Sequence, residues 1–294
     1  MSKIESESTL ADVLGRYIAV QCEVVLSINA ELEKVLESAA PQIDDDQVHD
    51  ARVACRRLRS VTRVFADVFS VPEAGRLSDD ARWYGLALGG IRDLDVLAAR
   101  IGAALDELDE DLVLHDPRAE LAQQIDYRRQ IAIAGLRDAT HSERYADLTA
   151  QLHGWKSRPP WAPPADKPAA KIKKYVRKAD HTLAKRLRRA MAAVAAHDEE
   201  ADELIHSARK AGKRHRYAAE AAVPVLGQAA DKVVADRKDL QDLLGDYQDS
   251  RLASVFLRDL GGIPGRNGFT FGVLYAAEAD HRRRLRKLVA KRIK

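Results

Sequence analysis

Apolar residues recur along this chain at intervals of three and four, the spacing of a helix with one buried face. Between positions 171 and 194, Ile172, Val176, Ala179, Leu183, Leu187, Ala190 and Val194 keep that interval. No long alternating, β-branched run occurs, so the pattern predicts helices and no sheet. The helices predicted are 8–38, 46–69, 75–110, 118–153, 169–196, 200–222, 228–260 and 268–292. Prolines punctuate them: Pro41, Pro72 and Pro117 in the first half, Pro224 and Pro264 in the second. A cluster of Pro159, Pro160, Pro163, Pro164 and Pro168 lies between the halves and reads as a stiff, extended linker. The architecture expected is all-α, with one four-helix bundle over 1–154, a Pro-rich linker over 155–168 and a second four-helix bundle over 169–294.

The two halves look like copies. VHDARVACRRLRS (48–60) aligns with IHSARKAGKRHRY (205–217), which sets His49 on His206, Arg52 on Arg209, Arg56 on Lys213 and Arg59 on Arg216. Further on, LGGIRD (88–93) aligns with LGDYQD (244–249), matching Gly89 to Gly245 and Asp93 to Asp249.

Charge separates what the apolar pattern leaves equal. The 294 residues carry a net charge of +3, with 32% charged and 46% apolar residues, the balance of a folded globular chain. Residues 1–154 hold 17 basic and 28 acidic side chains, residues 155–294 hold 31 and 17. Such segregation creates a strong local positive field. No run of 18 apolar residues is present, and the start, MSKIESESTL, lacks a basic-then-apolar leader, so a cytoplasmic protein without a membrane span is expected. Cys22 and Cys55 are far apart and read as small buried residues rather than as a disulfide or zinc pair.

The basic residues form rows. At about 100° per residue, His49, Arg52, Arg56, Arg59 and Arg63 fall within about 80° of one another, opposite Ala54, Leu58, Val61, Phe65 and Phe69. The second copy repeats the row with His206, Arg209, Lys213 and Arg216, and with Lys210 and Tyr217 at its edge. A third row comprises Lys174, Lys178, His181, Lys185 and Arg188, with Arg177 and Arg189 alongside. Solvated helix faces normally pair Glu with Lys at i,i+4, whereas like charges stacked at that spacing repel unless an anion lies among them. A multivalent anion with closely spaced phosphates answers this need, because Arg offers forked donors, Lys a point charge, and His a proton that a polyanion would retain.

The H-x-x-R-x-x-x-R-R-L-R segment at 49–59, its degenerate copy at 206–216 and the paired LG-x-x-x-D segments resemble the CHAD family. The resemblance runs over essentially the whole chain, duplication included. It implies two four-helix bundles with pseudo-two-fold symmetry around a basic central cavity that binds inorganic polyphosphate, and association with polyphosphate granules. Carried over by position, His49, Arg52, Arg56, Arg59, His206, Arg209, Lys213 and Arg216 become the polyphosphate contacts. The family is often fused to a triphosphate-tunnel hydrolase with an E-x-E-x-K strand. Here the nearest string is Glu31-Leu32-Glu33-Lys34 followed by Val35, so a non-catalytic binder without cofactor is expected.

Three rivals compete. Glu203-x-x-His206 and Glu278-x-x-His281 match half of a di-iron bundle site but sit among arginines and lysines. His49-Asp50, His115-Asp116 and His197-Asp198 suggest a helical metal-dependent phosphohydrolase, although adjacent helical residues diverge and Ser207 replaces Asp50 in the repeat. Nucleic acid is disfavoured, since only 5% of residues are aromatic and no zinc finger or helix-turn-helix pattern occurs. Asp93 and Asp249 are candidates for holding row arginines apart. Gly85, Gly89, Gly90, Gly268 and Gly272 read as helix-packing positions, and His215 reads as a satisfied core histidine.

Overall fold

A computed structural model describes residues 8–292 apart from 40 and 197. The first seven residues, on which the reading of the chain's start rests, and His197 therefore lie outside the described residues. Among the described residues there are helices and two isolated β-bridges but no strand.

In the first half, α1 (Leu10–Leu36), α2 (Asp45–Val64) and α3 (Val71–Asp106) are followed by α4 (Pro117–Thr140) and α5 (Glu143–Ser157). Their starts are written locally. Thr9 and Asp12 form a capping box on α1, Asp44 accepts from the amides of Asp46 and Gln47 on α2, and Asp116 accepts from Ala119 on α4. The single helix expected over 118–153 is broken, because Ser142 caps a new helix by accepting from the Tyr145 amide at 3.2 Å. The new direction buries Tyr145 against Tyr84, with ring centroids 5.4 Å apart.

The second half holds α6 (Ile172–Ala195), α7 (Ala201–Leu226), α8 (Gln228–Gly261) and α9 (Gly268–Arg292). Pro224 does not end α7, as its position suggested, but sits in the last turn. The helix stops at Gly227, whose φ of +52° is open to glycine without steric cost.

Where an extended spacer is expected, the proline-rich stretch is strapped to the first half. The amide of Ser70 donates to Pro160 and that of Ala162 to Val68, while Leu10 donates to Lys167 and Ala169 to Ser8, all at 2.8–2.9 Å. Trp161 stacks on Phe69 at 5.2 Å. Burial of Trp155, Ala165 and Ala169 fixes the strap.

The hydrophobic core does not divide where the sequence does. Its largest cluster combines α1 to α5 with Ile172 and Val176 of α6 and Ala218, Ala219, Ala221 and Ala222 of α7. Another joins Ile101, Leu105 and Leu121 to Ala253, Phe256, Leu260 and Phe271 from α8 and α9. Polar groups reinforce that junction: Arg100 donates to Glu278 at 2.6 and 2.9 Å and to Asp246 at 2.7 Å, and His281 meets Asp246 at 2.8 Å. Among the described residues, no helix is long and apolar enough to cross a membrane.

Candidate functional site

α2 and α7 pack side by side, each against a following antiparallel partner, and between α2, α3 and α7 lies a cleft of about 530 Å3. Arg52, Arg56, Arg59 and Arg63 enter it from α2, Arg82 from α3, and His206, Arg209, Lys210, Lys213 and Arg214 from α7. Opposite each row, Ala51, Ala54 and Leu58 of α2 and Ala208, Ala211 and Ala218 of α7 are buried, which turns the cationic faces inward to the same space.

Few of these cations are neutralised. Arg52 makes a bidentate pair with Asp93 at 2.6 and 2.9 Å. Among the described residues, no ion pair engages Arg56, Arg59, Arg63, Arg82, Arg209, Lys210, Lys213 or Arg214. The Nε groups of Arg56, Arg59 and Arg209 and Nδ1 of His206 are buried without any hydrogen-bond partner. A buried unsatisfied donor costs about 1–3 kcal/mol, so the cleft carries several unmet demands for an acceptor.

The electrostatic consequence falls on the weakest cations. Burial, followed by the guanidiniums of Arg209, Arg56 and Arg52, pushes the Lys213 ammonium down to about 6. Burial and then Arg186, Arg63 and Arg59 bring Arg214 down to about 10. His49 and His206 are lowered as well, by burial first and neighbouring cations second. Both shifts favour the neutral imidazole in the free protein. Asp249, raised by burial, faces Arg209.

The repeated LG-x-x-x-D segment has a structural meaning. A Cβ on Gly89 would lie 2.9 Å from Cζ of Arg52, so this glycine is the seat over which the guanidinium lies, and Asp93 one turn later grips it. Gly245 holds the same relation to Nη2 of Arg209, more loosely at 3.7 Å. Helix packing alone, the reading suggested by glycine spacing, does not account for Gly89.

Not every expected residue reaches the cleft. Arg216 instead donates to Glu220 at 3.0 Å, a carboxylate shared with Arg57 (3.0 Å) and the Tyr17 hydroxyl (3.2 Å). His49 is exposed and lies outside the lining, close enough to Arg56 and Arg92 to feel their charge. Lys174, Lys178, His181, Lys185 and Arg188 are exposed on the outside of α6 and do not widen the wall.

Conversely, Arg82 and Arg214 line the cleft and were not among the expected contacts. Counting from His49 and His206, the cleft face of α2 spans about 280° to 20°, and that of α7 about 300° to 80°. The extra rotation admits Arg214 and expels Arg216. The alignment of 48–60 with 205–217 also sets Arg57 on Arg214, but alignment does not say which way a helix is turned.

The rival motifs have other occupations. Glu278 holds Arg100, His281 holds Asp246, and Asp116 caps α4 beside His115, which sits at φ +56°. Among the described residues, no group of three or more His, Cys, Asp or Glu side chains converges as a ligand set. Burial holds the His215 imidazole down at about 4, and its Nδ1 accepts from Arg237 at 3.1 Å, as a satisfied core histidine should.

An all-helical molecule with an inward-facing, largely unneutralised cationic cleft is the class that fold and site define. The CHAD domain family matches residues 27–258, and the chain belongs to that family. Two Mycobacterium tuberculosis proteins, MT2285 of strain CDC 1551 and Rv2226 of strain H37Rv, are each 31% identical over 245 residues. That region is 82% of this chain but 46% of each relative, so the chain spans about half the length of the curated relatives it matches.

Among solved structures, PptA from Streptomyces chartreusis superposes with a TM-score of 0.79 at 18% identity, covering 97% of this chain and 99% of that one. The CHAD domain from the plant Ricinus communis gives 0.71 at 24% identity, covering 98% and 93%. At these identities the likeness establishes the fold.

Proposed function

We propose that this chain is a non-catalytic binder of inorganic polyphosphate, which it holds in the cleft between α2, α3 and α7. The observation that carries the reading is the convergence of Arg56, Arg59, Arg209 and Lys213 on one space whose lining holds no carboxylate, three of them with a buried Nε left unbonded. A chain of phosphates supplies acceptors at close, regular intervals and neutralises several cations at once, where a single small anion would leave most unmet. Much of the affinity then comes from counterion release and falls steeply with salt. Family membership supports the same ligand, as does the place of Arg52, Arg56, Arg59, Arg209 and Lys213, which the resemblance assigns to the ligand, in the cleft lining. Association with polyphosphate granules in the cytoplasm follows from the same chemistry.

Isothermal titration of the wild type and of Arg56→Glu/Lys213→Glu with polyphosphate at physiological salt tests this. The variant is expected to lose at least a hundredfold in affinity, about 3 kcal/mol, while its helical circular dichroism is retained. Undiminished binding by a folded variant would refute the assignment of the cleft.

A further inference from the structure

The cleft lining includes two lysines, and they differ in kind. Lys210 is exposed at the rim. Lys213 lies one helical turn beyond Arg209 on α7 and faces Arg56 and Arg52 of α2, with Asp249 of α8 as the neighbouring carboxylate. Among the described residues, no hydrogen bond or ion pair engages its Nζ. Burial first, and then Arg209, Arg56 and Arg52, lower the ammonium to about 6, so the amine is mostly unprotonated at pH 7. An ordinary lysine is unprotonated to less than about one part in a thousand at that pH.

An unprotonated lysine is a nucleophile, and this one stands among anion receptors. Nε of Arg56 and Nε of Arg209 are buried without a partner on either side of it. A phosphoryl group held by these two guanidiniums brings whatever it is bonded to within reach of Nζ. The cleft, at about 530 Å3, admits a small phosphate anhydride with room to spare. Donors that hold a phosphoryl group also stabilise the charge that grows on it as it departs.

We infer that Lys213 is a modification site for acyl phosphates, the mixed anhydrides of a carboxylic acid and phosphoric acid, and that its acylation weakens the hold of the cleft on polyphosphate. The amine attacks the acyl carbon and the bond from that carbon to the phosphate oxygen breaks. The proton shed by nitrogen leaves with the phosphate, so the products are an amide and hydrogen phosphate. An amide takes up no proton, and the cleft loses the charge that a bound polyanion would otherwise restore to Lys213. Bound polyphosphate in turn occupies the arginines and protonates the amine, so the two events exclude one another. The modification needs only the amine and its arginines, whereas its effect on polyphosphate rests on the cleft reading above.

The test incubates the full chain with acetyl phosphate and follows each acetylated lysine by peptide mass spectrometry. At pH 7, Lys213 is expected to react at least about tenfold faster than the exposed Lys174 and Lys178. Between pH 7 and 8 its rate should change little, while theirs rises about tenfold. Equal rates, or a Lys213 rate that climbs in step with theirs, would overturn the inference. Acetic anhydride, which carries no phosphoryl group, should show a several-fold weaker preference for Lys213; an undiminished preference would overturn the choice of donor. Excess tripolyphosphate should suppress acetylation at Lys213 and spare Lys174. Failure to protect, with the preference intact, would sink the cleft reading and leave the modification site standing. Protein acetylated at Lys213 should bind long-chain polyphosphate about tenfold more weakly, and unchanged affinity would overturn the regulatory consequence.

Discussion

At the α3–α8–α9 junction the guanidinium of Arg100 is shared between Glu278 and Asp246, with every contact at 2.6–2.9 Å. Close by, Arg286 donates to the Tyr247 hydroxyl at 2.8 Å and to Asp202 at 2.7 Å. In the cleft, Arg56 and Arg209 are comparably withdrawn from water but have Nε groups with no partner. Asp93 serves Arg52, and Asp249 is the nearby carboxylate for Arg209. The same residue type thus closes one region and leaves the other open. Burial alone does not mark a ligand site; buried donors left without a hydrogen-bond partner do.

Removing Arg100 should break that contrast most violently. Arg100→Ala leaves Glu278 buried without its cation, and breaking such a pair costs about 3–5 kcal/mol. Thermal unfolding should show this loss, while polyphosphate affinity, measured below the lowered transition, stays at the wild-type value. An unchanged transition would mean that the junction is not structural in the sense argued here.

A smaller effect separates the regions by pH. Lys213 is neutral in the free protein at pH 7, and a polyanion beside it restores the proton, so binding takes up protons. Affinity should rise by at most about tenfold per pH unit as pH falls from 8 toward 6, then gain nothing further from this group below about 6. Lys213→Arg, charged throughout, should flatten the profile over that window. Persistence of the slope in that variant would reassign it to His206, whose lowered pKa places its own contribution at the acidic end.

The glycine seats sharpen the comparison at the smallest scale. Gly89→Ala sets a methyl group 2.9–3.0 Å from the Arg52 guanidinium, which must leave Asp93 to escape it. A several-fold change in polyphosphate affinity is expected. Gly245→Ala meets Arg209 at an ordinary 3.7 Å, so affinity should hold and stability should rise by about 0.5–1 kcal/mol from helix propensity. Equal behaviour of the two variants would undo the distinction between a tight and a loose seat.

Much of this is legible in the sequence. The 3.6-residue period placed most of the helices. The row of Arg52, Arg56, Arg59 and Arg63 opposite buried Ala54 and Leu58 was visible as a wheel and is found as such. The break at Ser142 is hidden in the sequence because the apolar period runs through it, and Pro224 does not mark a helix end because a proline near a helix end is tolerated more readily than one at its centre. Glu220 appeared only as the first acid beyond the row, not as the group that would take Arg216 away from it.

The chain's linear order determined which faces are cationic and which are apolar, since both follow from spacing along one helix. It determined the caps as well, because each is a contact within three residues. Only the tertiary structure decided that α2 and α7 turn their rows to a common cleft while α6 turns its row outward. It also decided that α7 is rotated far enough to exchange Arg216 for Arg214. Those outcomes depend on how helices far apart in sequence fill one core, and such packing is set jointly by many side chains rather than by any local repeat.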